Sequence, residues 1–252
     1  MKNWVVYYFY IYSSFNLLNI VNAQEEYKYG QITYQYTIDE KLKDSNQEDQ
    51  STKLVSNTFF KYLTGNKEKI KYRLLFNKNE SFYSIVNNMD TNSDLGLYYS
   101  KLITGGDEEI YTNIKENIKL KKVEILGDNF IVKSNLKQDW SLTQETKTIG
   151  KHKCYKAIFI NDINDHKSNT NDLSIEAWFT PEIPINFGPK GYGQLPGLII
   201  ELKVGKINYN AVEILLNKKE EVTINAPKKG KILTEKEFDE LLKEFDRTKR
   251  NN

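Results

Sequence analysis

The sequence predicts a mainly β fold of the α+β kind: an antiparallel curved sheet or an open barrel, with one C-terminal helix packed on it. Three observations predict this class. Tyrosine and phenylalanine, which fit the half-buried surface of a sheet, contribute 17 and 12 of the 252 residues. Several segments alternate apolar with polar residues, as strands do. The last segment has helical spacing instead.

The alternation is clearest in two segments near the N-terminus. Their apolar positions are Ile32, Tyr34, Tyr36 and Ile38 in the first and Ile70, Tyr72, Leu74 and Phe76 in the second. Because successive side chains of a strand point to opposite faces, this period of two predicts strands with one buried face.

Nine further segments have strand-like composition. They are residues 53–63, 81–86, 119–125, 129–134, 140–149, 152–160, 173–179, 198–204 and 207–216. Gly and Asn pairs lie between many of them, which is typical of tight turns. Residues 87–107 are polar around a short apolar stretch at 95–103, and they predict a long loop.

The C-terminal segment predicts one amphipathic helix. Thr234 and Glu237 have the spacing of a capping box, and the apolar residues that follow at helical spacing are Phe238, Leu241, Leu242 and Phe245. We expect this apolar stripe to dock on the sheet. The chain then divides into a β domain at residues 24–230 and a helix with a frayed tail at residues 231–252.

Residues 1–23 have the composition of a secretory signal peptide. Met1-Lys2 is a short basic start, residues 4–21 are rich in apolar side chains, and Val21-Asn22-Ala23 resembles a cleavage site. We expect cleavage after Ala23 and a periplasmic or secreted protein without a stable membrane span. The alternative is a retained anchor, because the apolar run approaches the ~20 residues that span a bilayer.

The charge balance argues against one class of function. The formal net charge is +2, from 36 basic and 34 acidic residues. A nucleic-acid-binding surface needs an excess of basic side chains facing phosphates, so we expect no nucleic-acid partner.

The residues available for metal chemistry are few, with one Cys and two His in the chain. His152 and Cys154 can supply two ligands, but zinc sites use three or four from the protein. The stretch from Asp162 to His166 alternates like a calcium loop, but Lys167 stands where the sharp turn needs Gly. We expect no metal site, no catalytic residue and no cofactor. Cys154 is expected to be buried and inert, the alternative being a reactive thiol.

Residues 176–202 carry the most specific pattern. They hold four of the five prolines, Pro181, Pro184, Pro189 and Pro196, together with four glycines. Pro fixes φ and Gly permits positive φ, so the pattern predicts a segment of one fixed shape that crosses an edge or end of the sheet. The strand that begins at Leu198 is apolar on both faces, so we expect both faces to be covered. The C-terminal helix is one candidate for that cover.

These residues resemble the GLPGLI family of exported proteins from the Bacteroidota cell envelope. The segment that names the family is similar to residues 195–199, with Gln194 in place of the leading Gly. Residues 177–184 and three stretches between residues 139 and 157 are also similar. The positions that match the family motif are Trp178, Pro181, Pro184, Gly188, Pro189, Leu195, Pro196, Gly197, Leu198 and Ile199. The resemblance implies an exported protein whose activity is unassigned, and the motif either shapes the fold only or also binds a ligand.

The arrangement is similar to the open barrels of lipoprotein-carrier proteins, and this likeness implies a non-enzymatic periplasmic module that binds an acyl chain, a lipid or an apolar peptide. The expected lining residues are Tyr34, Tyr36, Tyr72, Phe76 and Trp178. Core packing explains the first four equally well. The alternative is an interaction partner of an outer-membrane transporter or receptor. A hydrolase would need a carboxylate pair such as Glu176 or Glu182 beside Glu201.

Overall fold

We describe the protein from a computed structural model, which defines residues 27–39, 50–86, 94–106, 108–160, 174–217 and 223–250. The expected signal peptide at residues 1–23 lies outside the described residues, as does the stretch from Asp162 to His166.

One open sheet of 12 strands forms the body of the protein. The strands are β1 (Tyr29–Ile38), β2 (Lys71–Asn77), β3 (Glu80–Ile85), β4 (Glu109–Asn113), β5 (Ile118–Ile125), β6 (Asp128–Ser134), β7 (Trp140–Ile149), β8 (His152–Phe159), β9 (Ile175–Thr180), β10 (Leu198–Val204), β11 (Ile207–Leu216) and β12 (Lys231–Thr234). Their order in the sheet is β12-β6-β5-β4-β3-β2-β1-β11-β10-β9-β8-β7. Every pairing is antiparallel except that of β12 with β6. The mainly β class and the open sheet are therefore confirmed.

The period-two pattern of the first strand decides which face of the sheet is buried. Ile32, Tyr34 and Tyr36 of β1 are completely buried, and they lie beside Tyr72 and Leu74 of β2 in an antiparallel register. Burial of aromatic and aliphatic side chains on one face is the main force that holds such a sheet. The core therefore lies on this face of the central strands.

Residues 53–63 form part of a helix, and the prediction of a strand there is wrong. Helix α1 spans Gln50–Asn66. The buried positions near its end, Leu63 and Asn66, lie three residues apart, and Phe59 lies one further turn back. That spacing belongs to one helical face, and it outweighs the aromatic content that favours a strand.

The apolar stretch at residues 95–103 also forms a helix, α2, which spans Leu95–Thr104. The Asp94 side chain caps it by accepting a hydrogen bond from the Leu97 N–H at 3.0 Å. Gly105 ends it with a φ of 120°, a conformation that favours glycine. The prediction that residues 95–103 lie within a long loop is therefore wrong.

The predicted C-terminal helix is confirmed as α3, Glu235–Arg250. The Glu237 carboxylate accepts from the Thr234 N–H at 2.7 Å, and the Thr234 hydroxyl accepts from the Glu237 N–H at 3.3 Å, which completes the capping box. The helix packs beside β12 and β6 at one end of the sheet. The helix therefore does not cover β10, and the expectation that it could do so is wrong. None of the helices in the described ranges is long and apolar enough to cross a bilayer.

Candidate functional site

Two structures cover the buried face of the sheet. One is the segment of residues 181–197, which we call the crossing. The other is the pair of helices α1 and α2, which we call the helical cover. Both contribute to a single core cluster that includes Leu63, Leu97 and Ile183.

The crossing lies on the face of the sheet rather than around its edge, which differs from the sequence-based expectation. Its apolar side chains Ile183, Ile185, Phe187 and Leu195 are buried in the core. At its centre Pro189–Gly191 form one turn of 3-10 helix, and a side chain at Gly191 would lie 2.8 Å from Ile110 of β4. Only a glycine there lets the backbone approach the sheet so closely.

The crossing ends in a turn that requires glycine. Gly197 has a φ of 155°, and a Cβ at this position would lie 2.1 Å from the Thr180 carbonyl oxygen. The Leu198 N–H then donates to the Ile183 carbonyl at 2.9 Å. The Leu-Pro-Gly turn therefore leads the crossing into β10, and the hydrogen bond to Ile183 ties the start of β10 to the beginning of the crossing. The crossing thus covers Ile199 of β10 with the chain's own residues.

The four ring-bearing residues expected to line a ligand site, Tyr34, Tyr36, Tyr72 and Phe76, lie together in this core. Each is at most 1% exposed. The Tyr34 and Tyr36 hydroxyls donate at 2.7 Å to the carbonyls of Ile199 and Leu63. Burial raises the pKa of Tyr36 to about 12 and that of Tyr34 further. A ligand could contact them only by displacing core side chains.

Trp178 is separated from these four residues by the sheet itself. Phe179 beside it points into the core, and Trp178 points to the opposite face, as its place at the end of a strand predicts. The Lys147 ammonium lies 4.3 Å from the centre of the indole ring, and the same ammonium binds Glu201 at 2.8 Å. Trp178 therefore belongs to a charged outer surface, with a cation–π contact.

The carboxylates considered for acid-base chemistry each contact a basic side chain. The Glu176–Lys156 distance is 3.2 Å and the Glu182–His152 distance is 2.8 Å. The hydrogen bond from His152 is the main reason that the pKa of Glu182 lies below its ordinary range, and the Lys153 N–H adds to it. These contacts suit ion pairs rather than a proton-sharing pair.

His152 and Cys154 do not form a metal site with another ligand. Cys154 is completely buried, and burial raises the pKa of its thiol to about 11. A protonated thiol is a poor nucleophile and a poor ligand. Within the described ranges, no group of three or more His, Cys, Asp or Glu residues is placed to hold a metal ion.

Sequence reasoning missed a partly buried ion pair that joins the two covers. Lys190 of the crossing binds Glu108, which follows α2, at 2.5 Å, and Lys121 of β5 binds the same carboxylate at 2.6 Å. Burial acts to raise the pKa of Glu108, but the two ammonium groups outweigh it and the pKa is lowered. Burial lowers the pKa of Lys190.

Sequence reasoning also missed a groove of mixed polarity at the edge strand β7. Its volume is about 590 Å³. Its lining residues are the apolar Trp140, Leu142, Ile160, Leu195 and Pro196 and the polar Gln138, Asp139 and Gln194. Leu142 is 60% exposed and Ile160 is 53% exposed, so this is a surface groove. The motif residues Leu195 and Pro196 form one of its walls.

Hydrogen bonds fix the crossing to the start of β7 beside this groove. The Trp140 indole donates to the Gly193 carbonyl at 2.9 Å. The Gln138 side chain accepts from the Gly193 N–H at 2.9 Å and donates to the Gly191 carbonyl at 2.8 Å. The groove is therefore a preformed feature of the fold.

Beneath the crossing, little space remains. A cavity of about 20 Å³ lies between the crossing and the side chains of Ser81 and Thr112. Such a volume accommodates about one water molecule and is too small for an acyl chain.

Comparisons with known proteins agree with the fold and leave the activity unassigned. A model of a family described as "Protein of unknown function (Porph_ging)" matches residues 161–201, which include the whole crossing. Two crystal forms of PNGF-II are similar in fold, with TM-scores of 0.50 and 0.49 at 15% and 16% identity. Each match covers 84% of this chain and 32% of the PNGF-II chain, so this chain spans about a third of that protein. No curated protein matches the sequence.

Proposed function

We propose that this chain is an exported, non-enzymatic binding module of the cell envelope that binds an extended apolar peptide at the edge of β7. Export rests on the leader-like residues 1–23. Membership of the GLPGLI family rests on the proline and glycine run, which overlaps the matched residues 161–201. The observation that carries the binding role is a groove with five apolar lining residues, directly beside a strand edge that is unpaired among the described strands.

The backbone at this edge is oriented to accept a strand. In the described part of the chain β7 pairs with β8 alone. The Ile160 N–H donates to the Asp139 carbonyl at 2.9 Å, so Asp139 faces β8. Because neighbouring residues of an antiparallel strand face opposite edges, the peptide groups of Trp140 and Leu142 face outward. An extended peptide can therefore add one more strand here.

The groove supplies the side-chain contacts that such a peptide needs. Every second side chain of an added strand points to the same face of the sheet, and Leu142 and Ile160 both line the groove with exposed apolar surface. The register between β7 and β8 shifts after Leu142, so the regular edge ends at that residue. This limits the docked part of the peptide to a few residues.

A second groove of about 560 Å³ is a weaker candidate. It is lined in part by Ile200 of β10 and Ile214 of β11, two strands that are paired on both sides. An interior site is weaker still, since the core is filled. From the likeness to lipoprotein carriers we keep only the apolar nature of the ligand. A peptide of an outer-membrane transporter or receptor is one source of a suitable segment.

The test uses the mature chain, residues 24–252, with a library of labelled hexapeptides that alternate Val or Leu with Thr, and with a fluorescent C16 fatty acid. Leu142→Lys places a charge in the groove, and Leu142→Pro removes an outward N–H while leaving the β8 pairing intact. Leu126→Lys is the matched control, because Leu126 is 77% exposed and lies in the turn between β5 and β6.

We expect at least one peptide to bind the unchanged chain and Leu126→Lys, with at least about a tenfold loss in both Leu142 variants. Bound peptide should also slow hydrogen exchange at the Trp140 and Leu142 amides. If fatty acid binds and these amides are not protected, the proposed ligand becomes an acyl chain instead of a peptide. Peptide binding that both Leu142 variants retain would remove the groove from consideration.

A further inference from the structure

Helix α2 presents an apolar face to solvent. The large residues on that face are Leu95, Tyr98, Tyr99, Leu102 and Ile103, at helical spacing. Leu95 is 70% exposed and Leu102 is 61% exposed. An apolar stripe this continuous is uncommon on a free surface and marks an interaction site.

The fold does not need these residues, because α2 is held by its other face. Gly96, Leu97, Ser100 and Thr104 are its buried residues. The hydroxyls of Tyr72 and Tyr209, which lie in the sheet, donate to the Thr104 carbonyl at 2.8 and 2.7 Å. Leu97 and three small or polar residues thus dock the helix, while its other large apolar groups face outward.

Aromatic residues of α1 extend the exposed face. The Phe59 and Tyr99 rings meet edge to face with centroids 5.7 Å apart, and Tyr62 stacks on Tyr99 at 6.3 Å. Tyr98 and Tyr99 also contact each other, at 5.5 Å. The outward face therefore combines aliphatic tips with a flank of tyrosines. We call the five α2 residues together with Phe59 and Tyr62 the outer helical face.

Basic residues border this face. Residues 57–69 and 94–106 contain four lysines and two carboxylates. Lys69 binds Asp94 at 3.4 Å, so the turn that carries Lys67 and Lys69 lies against the start of α2, beside Leu95. Lys61, Lys67 and Lys69 are exposed. The border of the outer helical face is therefore positively charged.

We propose that the outer helical face binds the surface of a lipid bilayer that contains anionic headgroups. The aliphatic tips Leu95, Leu102 and Ile103 enter the boundary of the acyl region. Tyr98 and Tyr99 place rings in that boundary and hydroxyls at the headgroups, as interfacial tyrosines do. The lysines meet the anionic headgroups. A ten-residue helix is about 15 Å long, which suits a helix lying along the surface.

The charge and the chemistry of the side chains favour lipid over a protein partner. Lysine is depleted at protein interfaces, whereas a lysine border beside an apolar helix face is typical of surface-bound helices. The proposal is independent of the peptide groove, which lies at β7 and uses none of these residues.

Vesicle sedimentation tests the proposal with the mature chain. The probes are large vesicles of phosphatidylcholine alone and with 30% phosphatidylglycerol. We expect binding to the anionic vesicles, with at least a tenfold weaker partition coefficient for the double variant Leu95→Ser/Leu102→Ser. Leu126→Ser, which exposes an equivalent change elsewhere, should bind as the unchanged chain does. Lys61→Gln/Lys67→Gln should weaken binding and reduce its dependence on salt.

The variant Tyr98→Trp reports on contact with lipid directly. Its fluorescence should shift to the blue and be quenched by brominated lipids when anionic vesicles are added. Four results would overturn the proposal. The first three are no vesicle binding by the folded chain, equal binding by the double variant with its circular dichroism unchanged, and dimers in sedimentation velocity that the double variant alone loses. The third of these would assign the face to a second copy. If the Tyr98→Trp variant already emits at blue-shifted wavelengths without lipid, the face is covered by the chain's own residues, which would also overturn the proposal.

Discussion

The crossing and the helical cover both lie on the buried face of one sheet, but they bury different kinds of side chain. The crossing turns Ile183, Phe187 and Leu195 inward and buries them. Helix α2 turns Ser100 and Thr104 inward and leaves Leu102 exposed. The crossing thus uses its apolar residues for stability, and α2 keeps its apolar residues available for contact.

This difference separates folding from function along the chain. Burial of the apolar residues of the crossing requires one backbone conformation, and its prolines and glycines favour that conformation. Where tyrosine hydroxyls hold a helix through its carbonyls, the outer face is free to carry any residue. We therefore expect substitutions in the crossing to affect stability, and substitutions on the outer helical face to affect binding.

The largest effect should come from Gly197→Ala. A Cβ at this position would meet the Thr180 carbonyl oxygen, so the turn into β10 must open, and we expect a loss of about 4 kcal/mol in the free energy of unfolding. Urea denaturation followed by circular dichroism measures it. Gly150→Ala is the matched control, since Gly150 has a positive φ but open space around it, and should cost about 1 kcal/mol. Equal losses in the two variants would mean that the crossing is not tightly fixed.

Glu108→Gln breaks the ion pair between the two covers and should cost about 2 kcal/mol at pH 7, because it leaves the partly buried Lys190 ammonium without its partner. The pKa of Glu108 is lowered in the folded chain, so its contribution is fully present above its ordinary pKa of 4.5. That contribution is lost as the pH falls through the lower, folded value.

The measurement is therefore the difference in unfolding free energy between the unchanged chain and Glu108→Gln from pH 7 to pH 3. The difference should stay constant down to about pH 4.5 and narrow below it. A difference that is unchanged at pH 3 would show that Glu108 is not the titrating group.

Two stacked tyrosines under the helical cover should differ, by a smaller amount, in how much their hydroxyls contribute to stability. The Tyr72 hydroxyl donates to the Thr104 carbonyl at 2.8 Å, whereas the buried Tyr83 hydroxyl has no hydrogen-bond partner among the described residues. Tyr72→Phe should cost about 1–2 kcal/mol and Tyr83→Phe about zero, or be slightly stabilising. Thermal unfolding of both variants decides the point. If Tyr83→Phe is the more damaging change, its hydroxyl has a role in the core that we have not assigned.

Much of the sheet could be predicted from the sequence because its strands are regular. The segments at Leu198–Val204 and Ile207–Leu216 form strands with the expected bounds. The capping box at Thr234 was equally reliable, since its chemistry is local. These features depend on neighbours in sequence, which periodicity and capping patterns detect.

The helical cover could not be predicted in the same way. Phe59 and Phe60 give α1 the composition of a strand, and only the spacing to Leu63 and Asn66 indicates a helix. Helix α2 is harder, because its apolar stripe faces solvent rather than the core. Asp94 as a cap and Gly105 as a stop were the available signals.

The candidate site was the least predictable part. Tyr34 and Tyr72 were correctly placed on one face of the sheet, but whether that face holds a ligand depends on what fills it. The filling comes from the crossing, more than 100 residues away in sequence. The groove at Trp140 arises where Leu195 reaches β7, and no local pattern encodes that meeting.

The parallel pairing of β12 with β6 limits how copies of this protein can assemble. The edge strand β12 is only four residues long, and α3 follows it at once. Among the described strands, β7 is the longer of the two edges. Growth of a fibril by edge-to-edge addition needs two edges that can pair on each molecule. A second edge as short as β12 disfavours such growth, so self-association through the sheet would favour a pair joined at β7.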